Sequence, residues 1–199
     1  MKNSLAPPAS ALRPAPPIHA SEWLNTAAPL SLEQLRGRIV VLHAFQMLCP
    51  GCVSHGIPQA VEIQRTFDPA SVAVIGLHSV FEHHAVMTPA ALRAFVHEYR
   101  LTMPIAIDQP SAGHPLPRTM RAYGLQGTPS VVLIDALGRL RAQHFGAVRD
   151  VVLGAEIGQL LAEQRALAAT PTAAPDPPAT PAGAGAPVAN CDAESCRVG

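Results

Sequence analysis

The sequence carries no excess of charge of either sign. Its 14 Lys and Arg residues balance 14 Asp and Glu residues, so neither a nucleic-acid-binding surface nor a polybasic membrane anchor is expected. Long apolar runs are also missing. The first twenty residues lack the continuous apolar core of a secretory signal, and no later stretch is apolar enough to span a bilayer. These absences predict a cytoplasmic protein without nucleic-acid or membrane partners.

Cysteine is scarce as well, with four residues in the chain, and in a reducing compartment such residues are typically reactive or metal-binding. Two of them form Cys49-Pro50-Gly51-Cys52, directly behind the apolar run Ile39–Phe45. A helix that begins here offers unpaired N–H groups and a positive dipole end, which favour a thiolate, and Pro50 suits its first position. The spacing predicts a redox centre in which Cys49 is the exposed nucleophile and Cys52 resolves the mixed disulfide.

The middle of the chain alternates strand-like and helix-like segments. Predicted strands are Ile39–Phe45, Val72–His78, Met103–Asp108, Ser130–Asp135 and Leu140–Phe145. Predicted helices are Pro50–Phe67, bent by Gly56 and Pro58, one that Thr88 caps and Pro89 opens, Leu116–Tyr123 ending at Gly124, and Val151–Arg165. This order predicts a three-layer α/β fold with a central mixed β-sheet flanked by helices, in which parallel strands meet an antiparallel edge hairpin.

Both ends of the chain differ in composition from this middle part. Residues 1–20 are rich in Pro and Ala, and residues 167–199 are an Ala/Pro-rich linker that ends in Cys191 and Cys196. Neither stretch can build a core. We therefore predict one folded domain, residues 21–166, between two disordered tails.

Several segments together resemble the thioredoxin superfamily, in particular its TlpA-like and redoxin branch related to the AhpC/TSA proteins. They are Arg36-Gly37-Arg38-Ile39-Val40-Val41-Leu42, the Cys-Pro-Gly-Cys motif, Val74-Ile75-Gly76-Leu77-His78-Ser79, Gly127-Thr128-Pro129-Ser130 with the strand behind it, and Gly138-Arg139-Leu140. The resemblance runs from about Trp23 to Leu161 and implies a thioredoxin-like fold.

The resemblance also implies a role for the Thr128–Pro129 bond. Family members hold the matching proline as a cis peptide that faces the cysteines, and the backbone before it pairs with a substrate strand. Thr128 and Pro129 are therefore expected beside Cys49 as the substrate-binding element. The alternative is an ordinary turn proline that opens an edge strand.

Two positions depart from the family pattern. Leu48 stands where a Trp commonly precedes the first cysteine, which predicts a more apolar substrate-facing surface. His43 stands where a buried acidic or amide residue is common. It is either a group that takes the proton of Cys52 and tunes its thiolate, or a histidine hydrogen-bonded within the sheet. His55, one helical turn after Cys52, is a second tuning candidate, with simple exposure on the helix as its alternative.

Other clusters carry weaker signals. His78, Glu82, His83 and His84 lack the ligand spacing of known metal motifs, so we expect no metal there. Cys191 and Cys196 are candidates for a redox relay with Cys49 and Cys52, because a Pro-rich linker of this length could return to the motif. The alternatives are a dispensable tail and a four-cysteine zinc site that joins both pairs.

These observations predict a thiol–disulfide oxidoreductase. It exchanges electrons with protein or small-molecule disulfides and with an upstream dithiol reductant, and it needs no cofactor because the cysteines carry the electrons. A redoxin-type peroxidase that uses Cys49 on hydroperoxides is one alternative, although Gln46 and Leu42 replace the residues that orient a peroxide. A non-catalytic redox-sensing binding module is another. Oligomeric state, reductant and direction of transfer are left open.

Overall fold

Apolar runs form the centre of a six-stranded sheet. The computed structural model describes residues 12–169. Its strands are β1 (Ala20–Leu24), β2 (Ile39–Phe45), β3 (Val72–His78), β4 (Ile105–Asp108), β5 (Ser130–Ile134) and β6 (Leu140–Phe145), arranged in the order β1-β4-β3-β2-β5-β6. The pairs β2–β3 and β3–β4 are parallel, and the other three are antiparallel. The mixed sheet and its antiparallel edge hairpin, β5–β6, confirm the predicted fold class.

Four α-helices flank the sheet: α1 (Ile57–Thr66), α2 (Pro89–Glu98), α3 (Arg118–Tyr123) and α4 (Asp150–Ala169). The side chain of Thr88 accepts a hydrogen bond from the Ala91 N–H, and Pro89 opens α2, as predicted. Gly124 ends α3 in the left-handed region, at φ 65°. In the described part of the chain, every helix falls short of the length and apolarity that crossing a membrane requires.

The two faces of the sheet bury separate cores. Alternate side chains of β2 point to opposite faces, so Ile39, Val41 and Phe45 join one core while Val40 and Leu42 join the other. The first core is closed by α1, α2 and α4, and the second by α3 and the segment around residues 32–35. Buried on both faces, β2 is a rigid support for whatever follows its carboxyl end.

The helix after the cysteine motif begins irregularly. A π-helical turn, Cys52–Gly56, precedes α1, and the Ile57 N–H donates to the Cys52 carbonyl five residues back. Pro58 has no N–H to give to the Ser54 carbonyl, so the regular ladder cannot close at this point. The predicted irregularity near Gly56 and Pro58 thus takes the form of a widened helical turn that begins at Cys52, the last residue of the motif.

The predicted tail of residues 1–20 is wrong for its second half. Hydrogen bonds join Leu140 N to the Arg13 carbonyl, Ala15 N to the Gly138 carbonyl and Tyr123 Oη to the Pro16 carbonyl. β1, which the sequence did not predict, begins at Ala20 and pairs with β4. Residues 13–20 are therefore part of the folded domain. Their proline-rich sequence lacks a strand or helix periodicity, so the sequence did not predict that they are ordered.

Other element boundaries shift as well: β4 begins at Ile105 rather than Met103, and β5 ends at Ile134 rather than Asp135. The helix predicted at Leu116–Tyr123 begins at Arg118, because Pro117 occupies its cap position. α4 extends to Ala169, so residues 167–169 are helical rather than part of the predicted disordered linker. The remaining tail predictions concern residues outside the described range.

Candidate redox site

The cysteine motif stands at the carboxyl end of β2. After Phe45 the chain turns, with the Cys49 N–H donating to the Gln46 carbonyl at 3.3 Å, and helix begins at Pro50. Cys49 is half-buried and Cys52 is fully buried. The Cys52 N–H donates to Cys49 Sγ at 3.3 Å. The geometry confirms Cys49 as the more accessible sulfur, at the cap of a helix that directs a backbone donor at it.

Cys52 is held in a different electrostatic environment. Burial, followed by its contact with the Cys49 thiol, raises the pKa of Cys52 to about 12, although the Gln46 backbone and the Thr128 side chain act in the opposite direction. Cys52 therefore keeps its proton at neutral pH. The two cysteines are thus chemically unlike, one accessible at a helix cap and the other a buried thiol.

Thr128 and Pro129 lie against both cysteines. The Thr128–Pro129 bond is cis, as the family resemblance implied. The Cys49 thiol donates to the Thr128 carbonyl at 3.4 Å. A methyl group built on Gly51 would lie 3.3 Å from Pro129 Cδ, so the proline ring packs on the motif itself. The predicted juxtaposition is confirmed, while substrate binding by this element stays a prediction.

His43 lies behind the helix that carries the cysteines. Its Nε2 faces Gly56, where an added methyl group would come within 2.6 Å, and it has no hydrogen-bond partner among residues 12–169. Burial, and then the charge of nearby His55, lowers the pKa of His43 to about 4. The predicted burial is confirmed, and the imidazole is neutral at pH 7. No hydrogen bond joins it to Cys52 in this part of the chain, so its tuning role stays a prediction.

His55 is neither free on the helix nor turned toward the sulfurs. Its Nε2 pairs with the Val148 carbonyl at 3.0 Å, and Gln59 Nε2 donates to the same carbonyl at 2.9 Å and to Asp150 Oδ1 at 2.7 Å. These contacts fasten the cysteine helix to the start of α4. A structural role is therefore visible for His55, and its effect on the cysteines stays a prediction.

The other sequence candidates are dispersed. His78 is buried against Phe45, with ring centroids 5.3 Å apart, and burial lowers its pKa to about 4. Glu82, His83 and His84 are exposed on the following loop. Within the residues that the structure describes, no group of three or more His, Cys, Asp or Glu side chains is placed to hold a metal ion. Cys191 and Cys196 lie outside that range.

Two features of the site have no signature in the sequence. Gly56 is required because a side chain there would collide with His43 and Pro129. Phe145, 59% exposed at the end of β6, covers Gly127 immediately before Thr128. Neither residue carries a motif, and the three contacts join residues 13, 73 and 18 positions apart in the chain, so only the folded arrangement reveals them.

Comparisons with known proteins agree with this geometry. The model of the AhpC/TSA family matches residues 13–143. Among curated proteins, Protein DipZ of Mycobacterium bovis is 30% identical over 126 residues, which is 62% of this chain but 17% of DipZ. NHL repeat-containing protein 2 of Bos taurus is 32% identical over 90 residues, or 44% of this chain and 12% of that protein. The chain thus spans less than a fifth of these relatives.

Solved structures cover the chain more fully. The thioredoxin-like superfamily protein SPOA0173 is 54% identical with a TM-score of 0.74, over 75% of this chain and 96% of that one. A thiol-disulfide isomerase from Corynebacterium glutamicum is 53% identical with a TM-score of 0.71, over 74% of this chain and 96% of that one. A DsbE-type thiol:disulfide interchange protein from Chlorobium tepidum, at 20% identity, shares the fold.

Proposed function

The chain belongs to the AhpC/TSA family and has a thioredoxin-like fold, and from this premise we propose that it exchanges electrons with protein disulfides through Cys49 and Cys52. The observation that carries the proposal is the unequal pair itself. Cys49 is accessible and receives the Cys52 N–H at 3.3 Å, while Cys52 is buried behind it. One sulfur can meet a substrate, and the other can reach only its neighbour.

The chemistry proceeds in two balanced steps. The Cys49 thiolate attacks one sulfur of the substrate disulfide; that S–S bond breaks, a mixed disulfide forms, and the released substrate thiolate takes up a proton. Cys52 then loses its proton and attacks Cys49 Sγ, which releases the second substrate thiol. The substrate gains two electrons, and Cys49 and Cys52 become a disulfide. An upstream dithiol returns the pair to its reduced form, and the same steps reversed would oxidise a substrate.

Thr128 supports the second step of this proposal through its side chain. Its carbonyl accepts from Cys49, and its side chain acts to lower the pKa of Cys52. A thiolate that forms at Cys52 during the second step would accept hydrogen bonds from the Thr128 hydroxyl and from the Gln46 backbone. The role of His43 as acceptor for the Cys52 proton stays a proposal: its Nε2 lacks a partner within residues 12–169, while burial lowers the pKa of the imidazole to about 4 and makes it a weak base before the reaction begins.

Trapping the mixed disulfide tests the proposal. In a Cys191→Ser/Cys196→Ser background, which leaves the motif cysteines as the only thiols, reduced Cys52→Ser protein mixed with a peptide disulfide should accumulate one peptide per chain on Cys49 by intact-mass spectrometry. The same background with both motif cysteines intact should release both peptide thiols. Cys49→Ser should accumulate none. Absence of the adduct in Cys52→Ser, with the fold intact by circular dichroism, would contradict exchange through Cys49.

A separate reduction assay addresses the tail cysteines. The proposed relay through Cys191 and Cys196 rests on their pairing at the end of the chain, and it requires that Cys191→Ser/Cys196→Ser slow the reduction of the Cys49–Cys52 disulfide by a protein dithiol. Equal reduction rates in the two backgrounds would remove the relay and leave the main proposal intact.

Two alternatives have their own signatures. A peroxidase would oxidise Cys49 with hydrogen peroxide far faster than an ordinary thiolate reacts, despite the amide of Gln46 and the apolar Leu42 at the orienting positions. A binding module would bind its partner in one redox state but fail to turn over disulfides. Second-order rates with peroxide and with peptide disulfide, measured on one preparation, separate the three functions.

A further inference from the structure

Phe145 is an aromatic side chain held in an exposed position. It ends β6 opposite Ser130, and 59% of it is accessible to solvent. Its ring lies over Gly127: a methyl group built on that glycine would be 2.8 Å from Cε2 and 3.1 Å from Cζ. The ring is therefore seated on backbone one residue before Thr128, and one face of it stays open.

The support under this ring is firmly tied. Ser130 Oγ donates to the Gly127 carbonyl at 2.7 Å, and the Gly146 N–H donates to the Pro129 carbonyl at 2.8 Å. These bonds fasten the loop before β5 to the end of β6. Phe145 therefore keeps a fixed position relative to the Thr128 carbonyl, and with it relative to Cys49.

Leu48 completes an apolar rim around the reactive sulfur. Leu48 is 57% exposed and directly precedes Cys49, whose Sγ lies 3.4 Å from the Thr128 carbonyl. Phe145 and Leu48 each stand next to one member of this sulfur–carbonyl pair. A substrate chain bound at Cys49 would therefore lie near two large exposed apolar side chains.

The three chain segments nearest the sulfurs contain no ionisable group other than the cysteines. Residues 46–52, 124–130 and 145–148 include no Asp, Glu, Lys, Arg or His. His144, next to Phe145, is engaged with Glu156 at 2.7 Å. A small anionic disulfide such as glutathione disulfide would find no cation within these three segments, the nearest in sequence being the exposed Arg149, whereas an apolar side chain would lose water-exposed surface on contact.

We propose that Phe145, seated on Gly127, determines substrate specificity, and that the preferred substrate is a polypeptide disulfide with a large apolar side chain next to the cysteine that Cys49 attacks. The inference rests on the proposed function. Covering the open face of the ring accounts for about a tenfold preference in kcat/KM over a polar neighbour. That ratio corresponds to about 1.4 kcal/mol, which partial burial of a large apolar side chain can supply.

Two peptide disulfides of equal charge, one with Leu and one with Ser beside the cysteine, test the proposal on the whole 199-residue chain. Wild-type protein should prefer the Leu peptide about tenfold in kcat/KM, and Phe145→Ala should bring that ratio close to one. Leu137→Ala is the matched control, because Leu137 is 44% exposed in the turn at the far end of the same hairpin. It should keep the wild-type ratio.

Gly127→Ala is the second variant, since it displaces the ring without removing it and should lower the ratio as well. A wild-type ratio of one, or a ratio that survives Phe145→Ala, would overturn the inference. 2-Hydroxyethyl disulfide, which has no side chain for the rim to contact, identifies which proposal has failed. Wild-type exchange with it but no preference between peptides removes the specificity role alone, and no exchange with any disulfide removes the proposed function.

Discussion

At the end of the sheet that carries the cysteines, buried polar side chains lack partners, whereas at the opposite end a buried carboxylate is surrounded by donors. Four of the six unpartnered buried side-chain atoms within residues 12–169 belong to His43, Gln46 and His78. At the far end, Asp135 accepts from the Leu137 and Arg139 N–H groups and from the Arg139 side chain. An unpartnered buried donor or acceptor lowers stability. Asp108, at the same edge of the sheet as the cysteines, is well paired, since it accepts from Ser79 Oγ and from the Thr119 and Met120 N–H groups. The contrast therefore lies between the neutral, incompletely paired side chains near the motif and the well-paired carboxylate at the far end.

The largest expected effect is a loss of stability in acid that originates at the redox end. Burial lowers the pKa of His43 and of His78 to about 4, from about 6.5 in the unfolded chain. Because the unfolded state binds these protons first, the free energy of unfolding should fall as pH drops from 6.5 toward 4, by about 3 kcal/mol per histidine. Urea unfolding measured at intervals across this pH range gives the slope.

Substitution of single histidines shows which residues cause this pH dependence of the free energy of unfolding. His43→Leu or His78→Leu should each remove about one proton from the pH dependence between pH 4 and 6.5. His97→Gln should leave it unchanged, since His97 is exposed. Curves for the two buried-site variants that run parallel to wild type would show that these imidazoles do not set acid stability.

The next prediction concerns the Asp135 cluster at the end of the sheet opposite the cysteines. Asp135→Ala would leave the Arg139 and Arg141 side chains, which are 23% and 13% exposed, without their shared carboxylate. Breaking such a pair should lower the free energy of unfolding by about 2 to 3 kcal/mol. Glu22→Gln, which removes the exposed pair with Arg93, should change it by less than about 1 kcal/mol. Chemical denaturation measures both.

The redox chemistry should survive the Asp135 substitution. Under conditions where Asp135→Ala is folded, its rate with 2-hydroxyethyl disulfide should match wild type, because none of the residues it affects touches a cysteine. A rate lowered in proportion to the stability would show that the two ends of the sheet are coupled and would undo the division between them.

A smaller change in the free energy of unfolding is expected when Gly56, beside the redox site, is replaced by Ala. Gly56→Ala places a methyl group 2.6 Å from His43 Nε2 and 3.0 Å from Pro129 Cβ, and should lower the free energy of unfolding by about 1 to 3 kcal/mol. Gly158→Ala, in α4 with open space around it, should instead raise it by roughly 0.5–1 kcal/mol. Equal effects at both glycines would show that the redox end is not tightly packed.

The smallest effect concerns Thr128. Thr128→Val removes the hydroxyl that counteracts the rise in the pKa of Cys52, so release of the second substrate thiol should slow about tenfold at neutral pH. Thr128→Ser retains a hydroxyl and should restore most of the rate. Stopped-flow measurement of thiol release separates this step from the first attack. A Val variant as fast as wild type would exclude the hydroxyl from the resolving step.

Prediction from the sequence succeeded where a local pattern reflects a local cause. β2, β3 and β6 have their predicted bounds, and Thr88, Pro89 and Gly124 stand at the predicted helix ends. The paired cysteines and the cis bond at Pro129 followed from a motif and a family resemblance. The centre of the site is therefore predictable from the amino-acid sequence alone.

Prediction failed where the cause is a distant contact. β1 forms because β4 offers a partner, and residues 13–19 are ordered by bonds to Tyr123 and to the β5–β6 turn, none of which leaves a periodic signature. Likewise, the sequence presents His55 as an exposed or tuning residue, because nothing near it in the chain indicates the Val148 carbonyl that it contacts. Propensity reflects neighbours in sequence, and these features depend on neighbours in space.

The pairing of β2 with β5 has a further consequence. Cys49 and Thr128 are 79 positions apart, and they meet because Ala44 and Ser130 are partners in one ladder. A nascent chain that has made the motif but not yet β5 therefore carries two ordinary thiols. The proposed exchange would gain the Thr128 contact only when the second half of the molecule docks, so its full rate would also report that the chain has finished folding.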